Sequence, residues 1–296
     1  MNFVYRVSGL LVASDQPLPL LARTRDEGVA PDVTIHFAPV PDEEGRACGA
    51  FIVFGPERLD LLVPQVLRVR IAAGRSLTVD VAAGVPTGAV QTYLLGPAFA
   101  ALLYQRGLVP LHAGAVRTEA GGAVAVAGHS RAGKSTTTRA LMRAGHALLC
   151  DDQLVVDAAS GLAQAGYPAL KLWGGALAHF GEAAGEAVAA GLDKYHVACA
   201  DGFDTSPARL QAVCVLVADA ELHAPVLERL PFPEAVAALG TLAHHAYVAH
   251  ALGCRPGLFR FSAELARRVP VFLLRRPDNL DGLDAVVDRV REAALG

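Results

Sequence analysis

The feature that most constrains this chain is residues 126–136, which read VAGHSRAGKST. Within them, residues 128–135 fit G-x-x-x-x-G-K-[ST] at every fixed position. Such a loop needs a buried strand before it and a helix after it. The strand delivers the main chain to one edge of a sheet, and the helix turns its positive end toward the loop. Both are legible. Residues 123–127 read as an apolar strand, and a helix is expected from Ser135 to about Ala144, with Gly145 as its stop. Glycines let the main chain curl so that successive N–H groups point inward at an anion. The expected nucleotide-binding residues are Gly128, His129, Ser130, Arg131, Ala132, Gly133, Lys134, Ser135 and Thr136. Lys134 is placed to reach the β- and γ-phosphates, and the Ser135 hydroxyl to ligate Mg²⁺. His129 and Arg131 fill variable positions, where exposed loop side chains are the ordinary reading. The ligand implied is a nucleoside triphosphate, ATP with Mg²⁺.

The segments around the loop suggest an α/β core preceded by a β-rich region. Phe3, Tyr5 and Val7 alternate with Val4, Arg6 and Ser8, and Val33, Ile35 and Phe37 with Asp32, Thr34 and His36, which suits half-buried strands. Residues 67–71 and 77–81 read as a hairpin around Gly74. A soft boundary near Arg106-Gly107 divides a β-rich part, residues 1–106, from a phosphate-loop part, residues 107–296. In the second part residues 111–116 read as a strand that carries His112, and residues 147–150 as another. Residues 213–217 and 271–274 follow as buried strands. A closing helix after Pro277 puts Leu283, Val286, Val287 and Val290 on one face.

Composition removes several classes. With 26 basic and 29 acidic residues there is no electrostatic footprint for nucleic acid or an anionic membrane. The five cysteines are scattered without CxxC spacing, which fits reduced thiols in a cytoplasm. Residues 1–6 carry no leader pattern. Residues 81–105 are uncharged and long enough to span a bilayer, but Gly96-Pro97 breaks any single helix there, and a buried core segment is expected.

A phosphate loop also needs a carboxylate near the metal. Asp151-Asp152 follows the strand one helix downstream, and Asp219 follows the strand 213–217 after an intervening alanine. Two adjacent carboxylates can divide the work: one of Asp151 and Asp152 beside Ser135 at the metal, the other as a base for an attacking hydroxyl. His112 is either a satisfied core histidine or a group carried toward the phosphates. Lys194 is either a solvated lysine or a contact to the transferred group or substrate. Arg209, Arg255 and Arg260 are candidate charge-stabilising arginines among which nothing in the sequence selects. His244, His245, His250 and Cys254 lack zinc spacing and read as a histidine-bearing helix face.

Taken together, Leu111-His112, the loop, Arg143-Ala144-Gly145-His146 and Leu149-Cys150-Asp151-Asp152 resemble the catalytic core of the HPr kinase/phosphorylase family. The resemblance implies a P-loop kinase core of the HPr kinase/phosphoenolpyruvate carboxykinase type, with Asp152 as the base and His112 assisting. His129 stands where that family usually has Asp, and its Glu-Ile-Arg-Gly segment is replaced by residues 167–173, YPALKLW. Residues 93–96, 105–107, 193–195 and 270–275 are more similar to the divergent HPr-kinase-like proteins that include lasso-peptide precursor kinases. The expected activity is therefore transfer of the γ-phosphate to a hydroxyl, a serine of a peptide or protein. The partner expected is that substrate, with no nucleic acid and no membrane. A homo-oligomer stays open, since the parent family is hexameric. Two alternatives remain: a nucleotide-binding regulatory protein without phosphotransfer, and a small-molecule kinase.

Overall fold

The computed structural model describes residues 3–24 and 28–295; Met1 and Asn2, at the head of the stretch read for a leader, lie outside them, as does Gly296. The chain is a mixed α/β protein with several sheets. The first is eight-stranded, and its spatial order is Phe3–Val7, Leu10–Ser14, Val33–Phe37, Ser76–Val81, Leu67–Ala72, Arg58–Val63, Phe51–Gly55, Arg46–Cys48. Alternation fixes its register. In the 67–81 hairpin Leu67 faces Val81, Val69 faces Val79 and Ile71 faces Leu77, and all but Val81 are fully buried or nearly so.

The uncharged stretch covers this sheet as two short helices, Thr87–Tyr93 and Phe99–Gln105. They are joined by a wide turn at Leu94–Ala98, where Gly96 leaves the helical region and Pro97 follows. Leu94, Leu95, Phe99, Leu102 and Leu103 pack on the sheet core, which Val155, Tyr167 and Val248 join from later in the chain. No helix among the described residues is long and apolar enough to cross a membrane.

The second sheet is built around three parallel strands. The loop strand Ala123–Ala127 lies beside Ala208–Asp219, which lies beside Val271–Pro277. Antiparallel neighbours extend it: Ala113–Arg117 beside the loop strand, then Leu148–Cys150 on one side, and Val226–Arg229 on the other. The period of two sorts the loop strand cleanly. Val124 and Val126 face a core shared with the loop helix Lys134–Arg143 and the closing helix Leu283–Leu295. Ala123, Ala125 and Ala127 face Leu239, Leu258, Phe261 and Leu265 of the helices Phe232–Thr241 and Arg255–Arg268. Each such fully buried leucine contributes about 1.5–3 kcal/mol relative to exposure. A hairpin, Ala169–Trp173 with Lys194–Ala198, stands at the edge of this core. All five cysteines are free thiols.

One expected strand is broken. Residues 111–116 do not run as a single strand: Pro110–Leu111 and Ala113–Arg117 belong to different ladders, and His112 is the joint between them. The loop helix also starts one residue early, at Lys134.

Candidate functional site

The loop leaves the C-terminal end of its strand, as ligand sites in open parallel sheets do. Gly133, the last loop residue, has φ 100°, a conformation that only glycine adopts without strain. The residue after it, Lys134, is buried, and its Nζ donates to the His129 carbonyl at 2.9 Å, so the lysine closes over its own loop. Burial draws Lys134 down to about 8, against the attraction of Asp152 and Asp151.

Asp151 and Asp152 follow the strand Leu148–Cys150, and Asp152 takes φ 73°. Aspartate tolerates this left-handed conformation better than most side chains, and strain of this kind gathers at functional sites. Asp151 turns inward. Ser135 Oγ donates to its two oxygens at 2.9 and 3.1 Å, and the Lys171 N–H donates to Oδ2 at 3.1 Å. Burial, and then the neighbouring Asp152, push its carboxyl above the usual range. Asp152 turns into the cleft. Lys171 Nζ lies 2.6 Å from its Oδ2, and His112 Nε2 lies 3.3 Å from its Oδ1. Burial alone would raise this carboxyl, but the Lys171 charge, with the His112 hydrogen bond behind it, holds it well below the usual range. The same attraction, opposed by burial, raises Lys171.

The main chain explains how the histidines meet. The segment before the helix Ala246–Ala251 lays itself along the 110–112 joint: His112 N donates to the Leu242 carbonyl, and His244 N donates to the Pro110 carbonyl. Leu111 therefore faces Ala243, and the rings of His112 and His244 stand 4.8 Å apart. His244 Nε2 is 3.8 Å from Asp152, and burial keeps that imidazole neutral. The helix-face reading of residues 244–254 is thus corrected. His244 and His245 precede the helix and His244 enters the site, while His250 is exposed and Cys254 faces the Tyr104 carbonyl.

A cleft of about 300 Å³ joins these groups, lined by His112, residues 130–131 and 133–136, Asp152, Lys171, Trp173, Lys194 and Arg276. Trp173 stands at its wall with Arg131 5.3 Å and Lys194 5.6 Å from its ring. Of the expected site residues, His112, Lys134, Ser135, Asp152 and Lys194 line one space, and Asp151 sits behind it on Ser135. Asp219 is on the strand beside the loop strand, where it faces Arg275 at 3.8 Å and does not line the cleft. Arg209, Arg255 and Arg260 are exposed and away from it. Lys171 and Arg276 are the residues that reading the sequence passed over, and His244 is the one it placed on a helix face. Lys171 lies in YPALKLW, where the only signal is a charge inside an apolar strand pattern.

Two sets of atoms suit a cation. Ser135 and Asp151 supply hard oxygen atoms of the kind Mg²⁺ takes. His112, Asp152 and His244 place one nitrogen or oxygen each within 4.8 Å of one another. In that second set the Lys171 ammonium already holds the carboxylate.

No protein-family model matches the chain, and no curated protein matches it. Among solved structures it is similar to the HPr(Ser) kinase/phosphatase from Coxiella burnetii, at 14% identity over 63% of this chain and 97% of that one, with a TM-score of 0.32. A likeness at this level is a distant structural one, and the chemistry of the site stands on its own geometry.

Proposed function

We propose that the protein is an ATP- and Mg²⁺-dependent phosphotransferase of the HPr kinase type, acting on a hydroxyl, a serine of a peptide or protein. The observation that supports this most is the division between two adjacent carboxylates. Asp151 is buried against the Ser135 hydroxyl, while Asp152 lies ionised in the cleft beside Lys171 and His112. A protein that only grips a nucleotide uses the first and has no task for the second.

Ser135 and Asp151 would hold Mg²⁺, whose charge offsets the cost of burying Asp151. When bound there, the ion neutralises charge on the β- and γ-phosphate oxygens. The rest falls to the chain. Main-chain N–H groups of residues 128–135, at the positive end of the loop helix, hold the polyphosphate. Lys134 exchanges the His129 carbonyl for a phosphate oxygen, and the anion restores the charge that burial weakens. The acceptor hydroxyl attacks phosphorus, the bond to the ADP oxygen breaks, and the proton passes to Asp152. A carboxylate held this acidic is a weak base. That is adequate where the transition state is loose and the proton leaves late. Lys171 and His112 keep the carboxylate ionised and aimed, and Lys194 beside Trp173 contacts the acceptor. In this reading residues 1–106 form a β-rich domain ahead of the kinase domain, residues 107–296. The sequence resemblance suggests a lasso-peptide precursor as acceptor.

One observation favours a second reading, a nucleotide-responsive protein that transfers nothing. Both Asp152 oxygens are engaged, by Lys171 at 2.6 Å and by His112 at 3.3 Å. Labelled ATP and serine-bearing peptides separate the two, with calorimetry alongside. The kinase reading expects a phosphopeptide from wild type and a loss of about 10²–10⁴-fold in Asp152→Asn, with ATP affinity retained. ATP binding without any phosphopeptide selects the second reading, and absence of ATP binding sinks both.

A further inference from the structure

We propose that Arg276 is a phosphate-binding residue of the cleft, the guanidinium that completes the anion cradle begun by the loop. The proposal rests on the nucleotide-binding half of the reading above and not on the transfer step.

Arg276 lies near the C-terminal end of the strand Val271–Pro277, the edge of the parallel strands from which the loop also emerges. It is only 8% exposed, although it carries a charge. Its Nε donates to the Ala132 carbonyl at 3.0 Å and its Nη1 to the Pro277 carbonyl at 2.7 Å. These two bonds pin the guanidinium plane against Gly133, where a Cβ would fall 2.8 Å from Nη2. Nη2 has no hydrogen-bond partner among the described residues, and the side chain forms part of the cleft wall with Lys134, Ser135 and Thr136.

The electrostatics point the same way. Arg275, next to it on the strand, has the usual arrangement, a carboxylate (Asp219) at 3.8 Å and substantial exposure. Arg276 has no ion-pair partner among the described residues. Burial weakens its hold on the charge, and Asp278 compensates only in part. A buried cation without a counter-ion is costly unless something supplies the missing charge. The unfilled donor lies beside Gly133 on a side chain that lines the cleft with Lys134 and Ser135, and a guanidinium fork matches phosphate oxygens better than an ammonium does. The ligand class is thus the polyphosphate of a nucleoside triphosphate. Arg276 has two jobs in one side chain: bracing the loop through Ala132 and contacting the anion through Nη2.

The test is calorimetry of the full-length chain with Mg-ATP and with pyrophosphate, for wild type, Arg276→Gln and Arg276→Lys, with thermal unfolding of each nucleotide-free protein. The expected result is that Arg276→Gln weakens both ligands by about 10- to 100-fold, the worth of a charge-assisted hydrogen bond, and that Arg276→Lys falls between. If the glutamine variant does not fold, the lysine variant decides, and affinity equal to wild type there overturns the assignment. A nucleotide-free unfolding temperature that falls while pyrophosphate affinity stays within about twofold makes Arg276 a loop brace only, and also overturns it. Wild type that binds neither ligand removes this proposal together with nucleotide binding. Wild type that binds both but phosphorylates nothing removes only the transfer reading, and the affinities still judge Arg276.

Discussion

Replacing Lys171 by methionine removes the charge that controls Asp152 while keeping most of the buried stem. In the wild type the Lys171 side chain is 8% exposed, its ammonium sits 2.6 Å from Asp152, and the Asp152 side chain is 20% exposed. Breaking a buried pair by deleting one partner costs about 3–5 kcal/mol. Solvent reaches Asp152 through the cleft, so the lower end applies, about 3 kcal/mol. The sign of the pH dependence follows from the depressed carboxyl. Asp152 stabilises the fold fully above the ordinary value of 3.8, and this is lost as pH falls through its lower folded-state value. The deficit of Lys171→Met is therefore full at neutral pH and shrinks near pH 4, where its Asp152 can take up a proton. Urea unfolding of wild type, Lys171→Met, Asp152→Asn and the double variant measures this as a cycle. The double variant should recover about 2–3 kcal/mol of the summed losses, because it leaves no unpaired charge behind. If the two substitutions add to within about 0.5 kcal/mol, the pair is not coupled and the account of Asp152 fails.

Two glycines give further checks. Gly133→Ala forces a left-handed alanine, at about 1–2 kcal/mol, and aims its Cβ at Arg276 Nη2, 2.8 Å away. ATP affinity measured by calorimetry should fall at least about tenfold. Gly114→Ala drives a methyl into Thr138 Oγ1 and to 3.4 Å from Asp151 Oδ1, pressing the strand Ala113–Arg117 off the loop helix. A loss of about 1–3 kcal/mol in urea unfolding is expected, and adding Thr138→Ala should restore most of it.

Much of the candidate site was legible along the chain. The loop announces itself because glycine, lysine and serine at fixed spacing are what an anion-wrapping backbone needs. The 67–81 hairpin and the closing helix follow from periods of two and 3.6, which are local properties. The adjacent Asp151 and Asp152 stand out by their place after a strand, one helix past the loop. Misreadings arose where a local pattern had two meanings. The apolar run around His112 looks like one strand, yet it changes ladders at His112, because the 242–244 segment takes the main-chain partners there.

By itself, then, the sequence determined that this chain carries a G-x-x-x-x-G-K-S loop on a strand-to-helix turn, with two carboxylates following and a β-rich region ahead. Only the tertiary structure decided which charges surround the loop. Lys171, His244 and Arg276 reach it from a hairpin, a segment before a helix and a parallel strand, all distant in the chain. Nothing in their local sequence separates Arg276 from Arg209, Arg255 or Arg260. Periodicity reports which face of an element is buried. The order of strands in a sheet and the path of its crossovers decide what that face, or that strand end, meets.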